Sequence, residues 1–234
     1  MKNPIIVALD VENAREALSL VERLGESVSF YKVGLELFTA EGPSIVRELR
    51  SMNKDIFVDL KMYDIGETVK RAAARVAALG ARLLTVHSSP QVIRAAMEGA
   101  RGSQLKVIAV TVLTSFNESD LANVGIVGRT TGEYVEFLAQ KGAAAGVDGF
   151  VCSPLEVARL RHLAGPERIL VTPGVRSAGA DQGDQKRVAT PVEAIAAGAD
   201  YLVIGREITR AADPLSASLK ILKDLQATQS DKQS

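Results

Sequence analysis

Residues Ile56–Thr68 read IFVDLKMYDIGET: a short apolar run that carries a carboxylate and an ammonium, then a polar turn leading into an amphipathic segment. Apolar runs of this length followed by helical periodicity are what strand–helix units of a parallel sheet look like, because such strands are covered on both faces. The same rhythm repeats along the chain. Strands are expected near Ile5–Asp10, Phe30–Gly34, Ile56–Lys61, Leu83–His87, Val107–Leu113, Gly149–Cys152, Ile169–Thr172 and Leu202–Gly205, with helical patterns between them. In the first of these, Ala14, Ala17, Leu18, Val21 and Leu24 share one face, with Asn13 as N-cap and Gly25 as stop. Eight units at about 29 residues each (234/8) suit an α/β fold of the single-domain (β/α)8 TIM barrel type, whose size is roughly 250 residues. An open doubly wound sheet is the alternative that the rhythm alone leaves standing. The barrel domain is expected over residues 1–226, with 227–234 a polar tail that frays.

Composition narrows the partners. The chain has 234 residues, with 28 basic and 28 acidic side chains, so its formal net charge is zero. Phosphate backbones demand a basic surplus, so nucleic acid is not the expected partner, although a local basic pocket for one small anion is compatible with this balance. Cys152 is the single cysteine, which leaves no internal disulfide and no multi-cysteine zinc site. Nothing behind Met1-Lys2-Asn3 resembles a signal peptide, and no apolar run approaches the roughly 18 residues of a membrane span. A cytoplasmic location with no membrane contact is expected.

Two connections are long: Thr114 to about Thr130, with a short helix around Glu118–Asn123, and Pro173 to Thr190. Long loops in compact domains serve as lids or binding segments, and both follow strands, which in a barrel places them on the catalytic face. Several familiar chemistries are missing: there is no GxxxxGK[ST], no GxGxxG after the first strand, no HExxH and no GxSxG. His87 and His162 are the two histidines and leave no multi-histidine metal site. His162 falls on a helical surface, His87 ends strand 4 where a hydrogen-bonded structural role is expected, and Cys152 reads as a small core residue.

Two constellations carry chemistry. Asp59 and Lys61 are two apart on a strand, so both point to one face, roughly 6.6 Å apart along it, while Val58 and Leu60 face the helices. Asp64 follows in the loop, Lys32 is a candidate inward residue on strand 2, and Asp10 ends strand 1. A purely stabilising ion-pair network is the bland reading, but desolvating several charges inside a barrel is costly. The second constellation joins Pro173-Gly174-Val175-Arg176 after strand 7 to Ile204-Gly205-Arg206 after strand 8. Loops at these places form the recurrent barrel phosphate site, and Arg176 and Arg206 offer forked donors; two solvated arginines are the bland reading.

Taken in order, ALD at Ala8–Asp10, YKVG at Tyr31–Gly34, DLKMYDIGET ending at Thr68, VTVLTS at Val110–Ser115, PGVR at Pro173–Arg176, GDQKR at Gly183–Arg187 and IGREIT at Ile204–Thr209 resemble the orotidine 5′-monophosphate decarboxylase family over nearly the whole chain. The resemblance implies a carbon–carbon lyase of pyrimidine biosynthesis that works without cofactor or metal and assembles as a homodimer. It implies an alternating array of Lys32, Asp59, Lys61 and Asp64, with Asp64 reaching the neighbouring subunit's site and Lys61 protonating the carbanion left by carbon dioxide. Asp59 then sits beside the substrate carboxylate; Asp10, Lys32 and the partner's Asp64 and Thr68 hold ribose hydroxyls or order the array. Thr114 or its neighbouring backbone contacts the pyrimidine, Pro173 belongs to the substrate site, and Arg176, Gln185, Gly205 and Arg206 bind phosphate, the Arg176–Thr190 loop that carries Gln185 closing over it.

The chain departs from the family pattern in places. Tyr63 and Gly66 stand where His and Pro are common, so a looser loop around Asp64 and a repacked subunit contact are expected, and His87-Ser88-Ser89-Pro90 replaces a small-residue turn. The rival readings are a magnesium-dependent sugar-phosphate decarboxylase or aldolase of the same suprafamily, and a barrel that only binds a nucleotide or phosphosugar. The first places a glutamate metal ligand where this chain has Lys32, and a lysine there opposes a cation.

Overall fold

A computed structural model describes residues 3–177 and 188–230. In chain order the elements are β1 (Ile5–Ala8), α1 (Ala14–Leu24), β2 (Phe30–Gly34), α2 (Leu35–Glu41), α3 (Pro43–Ser51), β3 (Asp55–Met62), α4 (Gly66–Ala78), β4 (Leu83–His87), α5 (Pro90–Ala100) and β5 (Lys106–Val110). They continue with α6 (Glu118–Asn123), α7 (Thr131–Ala144), β6 (Gly149–Val151), α8 (Val157–Ala164), β7 (Ile169–Thr172), α9 (Pro191–Ala196), β8 (Tyr201–Ile204), α10 (Arg206–Thr209) and α11 (Pro214–Ser230). The strands pair in parallel, each with the next, and β8 returns to β1 through Ile5↔Leu202, Ile6↔Val203 and Val7↔Ile204. That last pairing closes the sheet and decides for the barrel over the open arrangement.

Alternation along the strands builds two apolar layers. Ile6, Ala8, Phe30, Phe57, Leu83, Ile108, Val171 and Val203 fill the barrel interior. Their neighbours, among them Val7, Val33, Val58, Leu84, Ala109 and Ile204, pack outward against the helices. Each Val, Leu or Ile so buried contributes about 1.5–3 kcal/mol. At the N-terminal end of the barrel, Arg82 bonds Asp55 Oδ2 at 2.5 Å and lies 5.7 Å over the Phe30 ring, so that end is occupied by a satisfied ionic group.

Two strands end earlier than their apolar runs. β1–β2 pairing ends at Ala8↔Lys32 and β5–β6 pairing at Val110↔Val151, so β1 and β5 are shorter than expected from their apolar runs and Asp10 lies two residues beyond its strand. Helix starts carry local signals: Asn13 caps α1 by accepting from Glu16 N–H, and Gly25 closes it. Both long connections enter their helices through capping boxes, Asn117 with Asp120, Thr130 with Glu133, and Thr190 with Glu193. Each such cap contributes about 1 kcal/mol. The final helix runs to Ser230, past the boundary expected at Ala227, because Ala227-Thr228-Gln229 contains no helix breaker. Among the described residues no helix is long and apolar enough to cross a membrane.

Candidate active site

The charged cluster begins with an irregularity in β3. Pairing with β4 runs Phe57↔Leu83 and Val58↔Leu84, then resumes at Met62↔Val86, so four steps along β3 oppose two along β4. The strand bulges across Asp59, Leu60 and Lys61, and Lys61 adopts a left-handed backbone with φ of 48°. A non-glycine residue there costs about 1–2 kcal/mol, so its surroundings must hold it in place. They do so through Thr85 on β4. The fully buried Thr85 hydroxyl accepts the Lys61 backbone N–H at 2.9 Å and donates to Asp59 Oδ1 at 2.8 Å.

The bulge brings the Lys61 ammonium to 2.9 Å from Asp59 Oδ1. Lys32, inward on β2, sits 3.6 Å from Asp59 Oδ2 and donates to Asp10 Oδ1 at 2.8 Å. Burial alone pushes the Asp59 carboxyl up. The Lys32 and Lys61 charges, with hydrogen bonds from Lys61 and Thr85, outweigh it and hold that carboxyl below the usual carboxylate range. Asp10, Lys32, Asp59 and Lys61 thus form one connected chain of alternating charge. Gly34 is part of its construction, since a Cβ there would stand 2.8 Å from Lys32 Nζ and 3.2 Å from Asp10 Oδ1.

Asp64 and Thr68 lie elsewhere. Both are exposed around the start of α4, and Asp64 Oδ1 accepts the N–H of Ile65 at 2.6 Å rather than joining the cluster of its own chain. Tyr63 projects beside them and packs edge-on against His87, ring centroids 5.4 Å apart. The hydrogen-bonded role expected for His87 gives way to this contact: among the described residues its ring has an aromatic neighbour and no hydrogen-bond partner. Partial burial, then the nearby Lys61 charge, push its pKa down, so the ring is neutral at pH 7. Cys152 is fully buried, and His162 is exposed on α8.

Two cavities meet over the cluster. One of about 230 Å3 is lined by Lys32, Asp59 and Lys61 together with Thr114, Ser115 and Pro173. The other, about 370 Å3, shares Lys32, Pro173 and Val203 with the first and continues over Gly174, Arg176, Gly205 and Arg206. It also takes in Arg210 and Glu36, so four basic side chains (Lys32, Arg176, Arg206, Arg210) face two acidic ones (Asp10, Glu36), a surplus suited to an anion such as phosphate. Gly174 turns the chain there with φ of 78°. Beyond it Val175 bridges Ala189, which joins the two ends of the connection, and the Ser177 N–H bonds Glu207 Oε2 at 3.1 Å, which ties the first end to α10. Gln185 lies outside the described residues.

Three contributors escape a reading of the sequence. Thr85 is a polar residue at an inward strand position beside Asp59, a signal that strand alternation offers but that does not disclose its two bonds. Arg210 follows Arg206 by one helical turn, and Gly34 reads as an ordinary strand end.

Comparison with known proteins finds relatives over nearly the whole chain. Residues 3–221 match the family described as Orotidine 5'-phosphate decarboxylase / HUMPS family. The chain is 49% identical over 226 residues to an orotidine 5'-phosphate decarboxylase of Rhodopseudomonas palustris, covering 97% of this chain and 95% of that protein. A protein of the same name from Afipia carboxidovorans is 49% identical over 221 residues, 94% of each chain. The crystal structure of orotidine 5'-phosphate decarboxylase from Lactobacillus acidophilus superposes with a TM-score of 0.85 at 37% identity, covering 96% of this chain and 99% of that one. With a closed barrel, a Lys–Asp–Lys cluster at its mouth and an arginine-lined cavity beside it, the chain belongs to the orotidine 5'-phosphate decarboxylase / HUMPS family.

Proposed function

We propose that this protein decarboxylates orotidine 5′-monophosphate to uridine 5′-monophosphate, a step of pyrimidine biosynthesis. The observation that carries this reading is the Lys32–Asp59–Lys61 chain in a cavity continuous with the arginine-lined one. The bond between pyrimidine carbon six and its carboxylate breaks, carbon dioxide leaves, and the electron pair stays on carbon six in an orbital the ring delocalises poorly. The Lys61 ammonium stabilises that pair and donates its proton to it, then recovers a proton from water. Asp59 sits against the substrate carboxylate and fixes the lysines around it. Thr114 contacts the pyrimidine, and Asp10 and Lys32 hold ribose hydroxyls. Pro173 lines the junction of the two cavities, and Arg176, Gln185, Gly205 and Arg206 take the phosphate, whose remote binding energy supports the chemical step.

The active assembly is a homodimer in which the partner's Asp64 and Thr68 complete each site. In support, Tyr63 and Ile65 flank Asp64 with 71% of their surface exposed, and Tyr63 borders an apolar cavity of about 430 Å3 with Leu113 and Val124. The lone, buried Cys152 thiol suits the cytoplasm. A magnesium-dependent reaction fits these residues poorly, since a divalent cation at Asp59 would face two ammonium groups within 3.6 Å of that carboxylate.

The purified protein is expected to bleach orotate absorbance in EDTA, and to sediment as a dimer while doing so. Absence of turnover at micromolar enzyme would overturn the reaction. Activity lost in EDTA and regained with magnesium would favour the metal-dependent relatives, and a fully active monomer would remove the shared site. A second expectation concerns Lys32. In Gly34→Ala the new methyl would intrude on its ammonium. Since φ at Gly34 is −93°, the backbone tolerates alanine and the melting temperature should fall by only a few degrees. kcat/KM should fall about ten-fold, the cost of one charge-assisted bond. Unchanged kinetics would mean that the position of Lys32 is not critical.

A further inference from the structure

We propose that Thr85 is a positioning residue of this site: its hydroxyl clamps the β3 bulge so that Asp59 and Lys61 meet in the working geometry. The inference rests on the decarboxylase reading for its kinetic part and on geometry alone for the rest. Thr85 faces inward between Leu83 and His87 on β4, level with the stretch where β3–β4 pairing is interrupted. In that interruption the Lys61 N–H has no strand partner, and it is the Thr85 oxygen that accepts it, at 2.9 Å. The hydroxyl has one proton, and that proton goes to Asp59 Oδ1 at 2.8 Å, the same oxygen that Lys61 Nζ reaches at 2.9 Å. A single side chain therefore fixes the left-handed backbone of Lys61 and the orientation of the carboxylate that its ammonium contacts. The hydroxyl is polarised in the right sense at both ends, because accepting an N–H strengthens the O–H as a donor. Packing does not require it: Ile108 opposite it on β5 and Leu83 two residues before it are apolar, and valine has the same shape.

Thr85→Val removes both bonds while keeping the volume. The charged groups facing Asp59 are Lys32 from β2 and Lys61 from its own strand, with Asp10 behind Lys32 and His87 on β4 near Lys61. In a carbon-13 carboxyl titration the Asp59 midpoint should move up by about one pH unit in the variant, since a hydrogen bond to the ionised form is lost. The Lys61 amide should exchange with deuterium faster than in wild type. In turnover, kcat should fall about ten- to a hundred-fold with KM little changed, and Thr85→Ser should restore most of it. An unchanged Asp59 titration together with unchanged Lys61 exchange overturns the assignment, as does a serine variant no better than valine. If Thr85→Val does not fold by circular dichroism, Thr85→Ala is read in its place with the same outcomes. The titration and exchange arms need no turnover. A wild-type chain without activity whose variant still shows both shifts keeps the clamp and overturns the reaction, whereas an active chain with neither shift overturns the clamp alone.

Discussion

Lys61→Ala is expected to lose turnover by at least about ten-thousand-fold while still binding uridine 5′-monophosphate. Two separate effects vanish with one side chain. A cation held against a developing carbanion contributes about a hundred- to a thousand-fold, and a positioned proton donor about a hundred- to ten-thousand-fold. Water in the vacated space replaces neither, because it is neither a fixed cation nor a proton donor held in position. Binding should survive, since Lys61 does not line the arginine-bearing cavity proposed to take the phosphate. Its Kd should change by less than about ten-fold. Stopped assays at high enzyme concentration and calorimetric titration with product separate the two quantities. Turnover near that of wild type would end the proton-donor role, and loss of product binding would show that the two cavities do not act as separate parts.

Asp59→Asn should produce the second large effect, this time on stability as well as on rate. The Asp59 side chain is 12% exposed and stands between Lys32, 10% exposed, and Lys61, 30% exposed. Neutralising it keeps the volume but leaves two ammonium groups around an amide, and breaking such a buried set costs about 3 kcal/mol. For a chain of this size that lowers Tm by roughly 6–12 °C. The pH dependence has a definite sign. The carboxyl is depressed in the folded state, so its contribution is fully present above the ordinary value of 3.8 and is lost as pH falls from there through the folded value. The gap between wild type and variant should thus be constant through neutral and mildly acidic pH and close only at the acid extreme. A gap that closes near neutrality would mean that Asp59 is not held ionised by its lysines.

Much of this was open to a reader of the sequence, and for identifiable reasons. Strand positions follow from apolar runs, since a strand covered on both faces has nowhere to put polar residues except at its ends. Asp10, Lys32, Asp59 and Lys61 stand out because they interrupt or terminate such runs. Arg176 and Arg206 stand out because each follows a strand with a glycine beside it. Strand ends were less legible: β5 stops at Val110 although VTVL reads as a continuation, because the limit is set by where β6 ends. The bulge at Lys61 was invisible. Period-two reasoning assumes a regular strand, and nothing in DLKM announces that β4 will be matched against it two residues out of step.

The sequence by itself determined the number of units, the alternation that separates the barrel interior from its outer layer, and the residue types available at its mouth. These are local properties, set by side-chain polarity and strand periodicity, and they need no knowledge of what lies across the sheet. Tertiary structure alone decided that the sheet closes, that Lys61 turns left-handed to meet Asp59, and that Thr85 and Gly34 are parts of that arrangement. Each of these depends on neighbouring strands, or a strand and the loop beside it, being brought together. Only there do hydrogen-bond distance and excluded volume act between residues that are far apart in sequence.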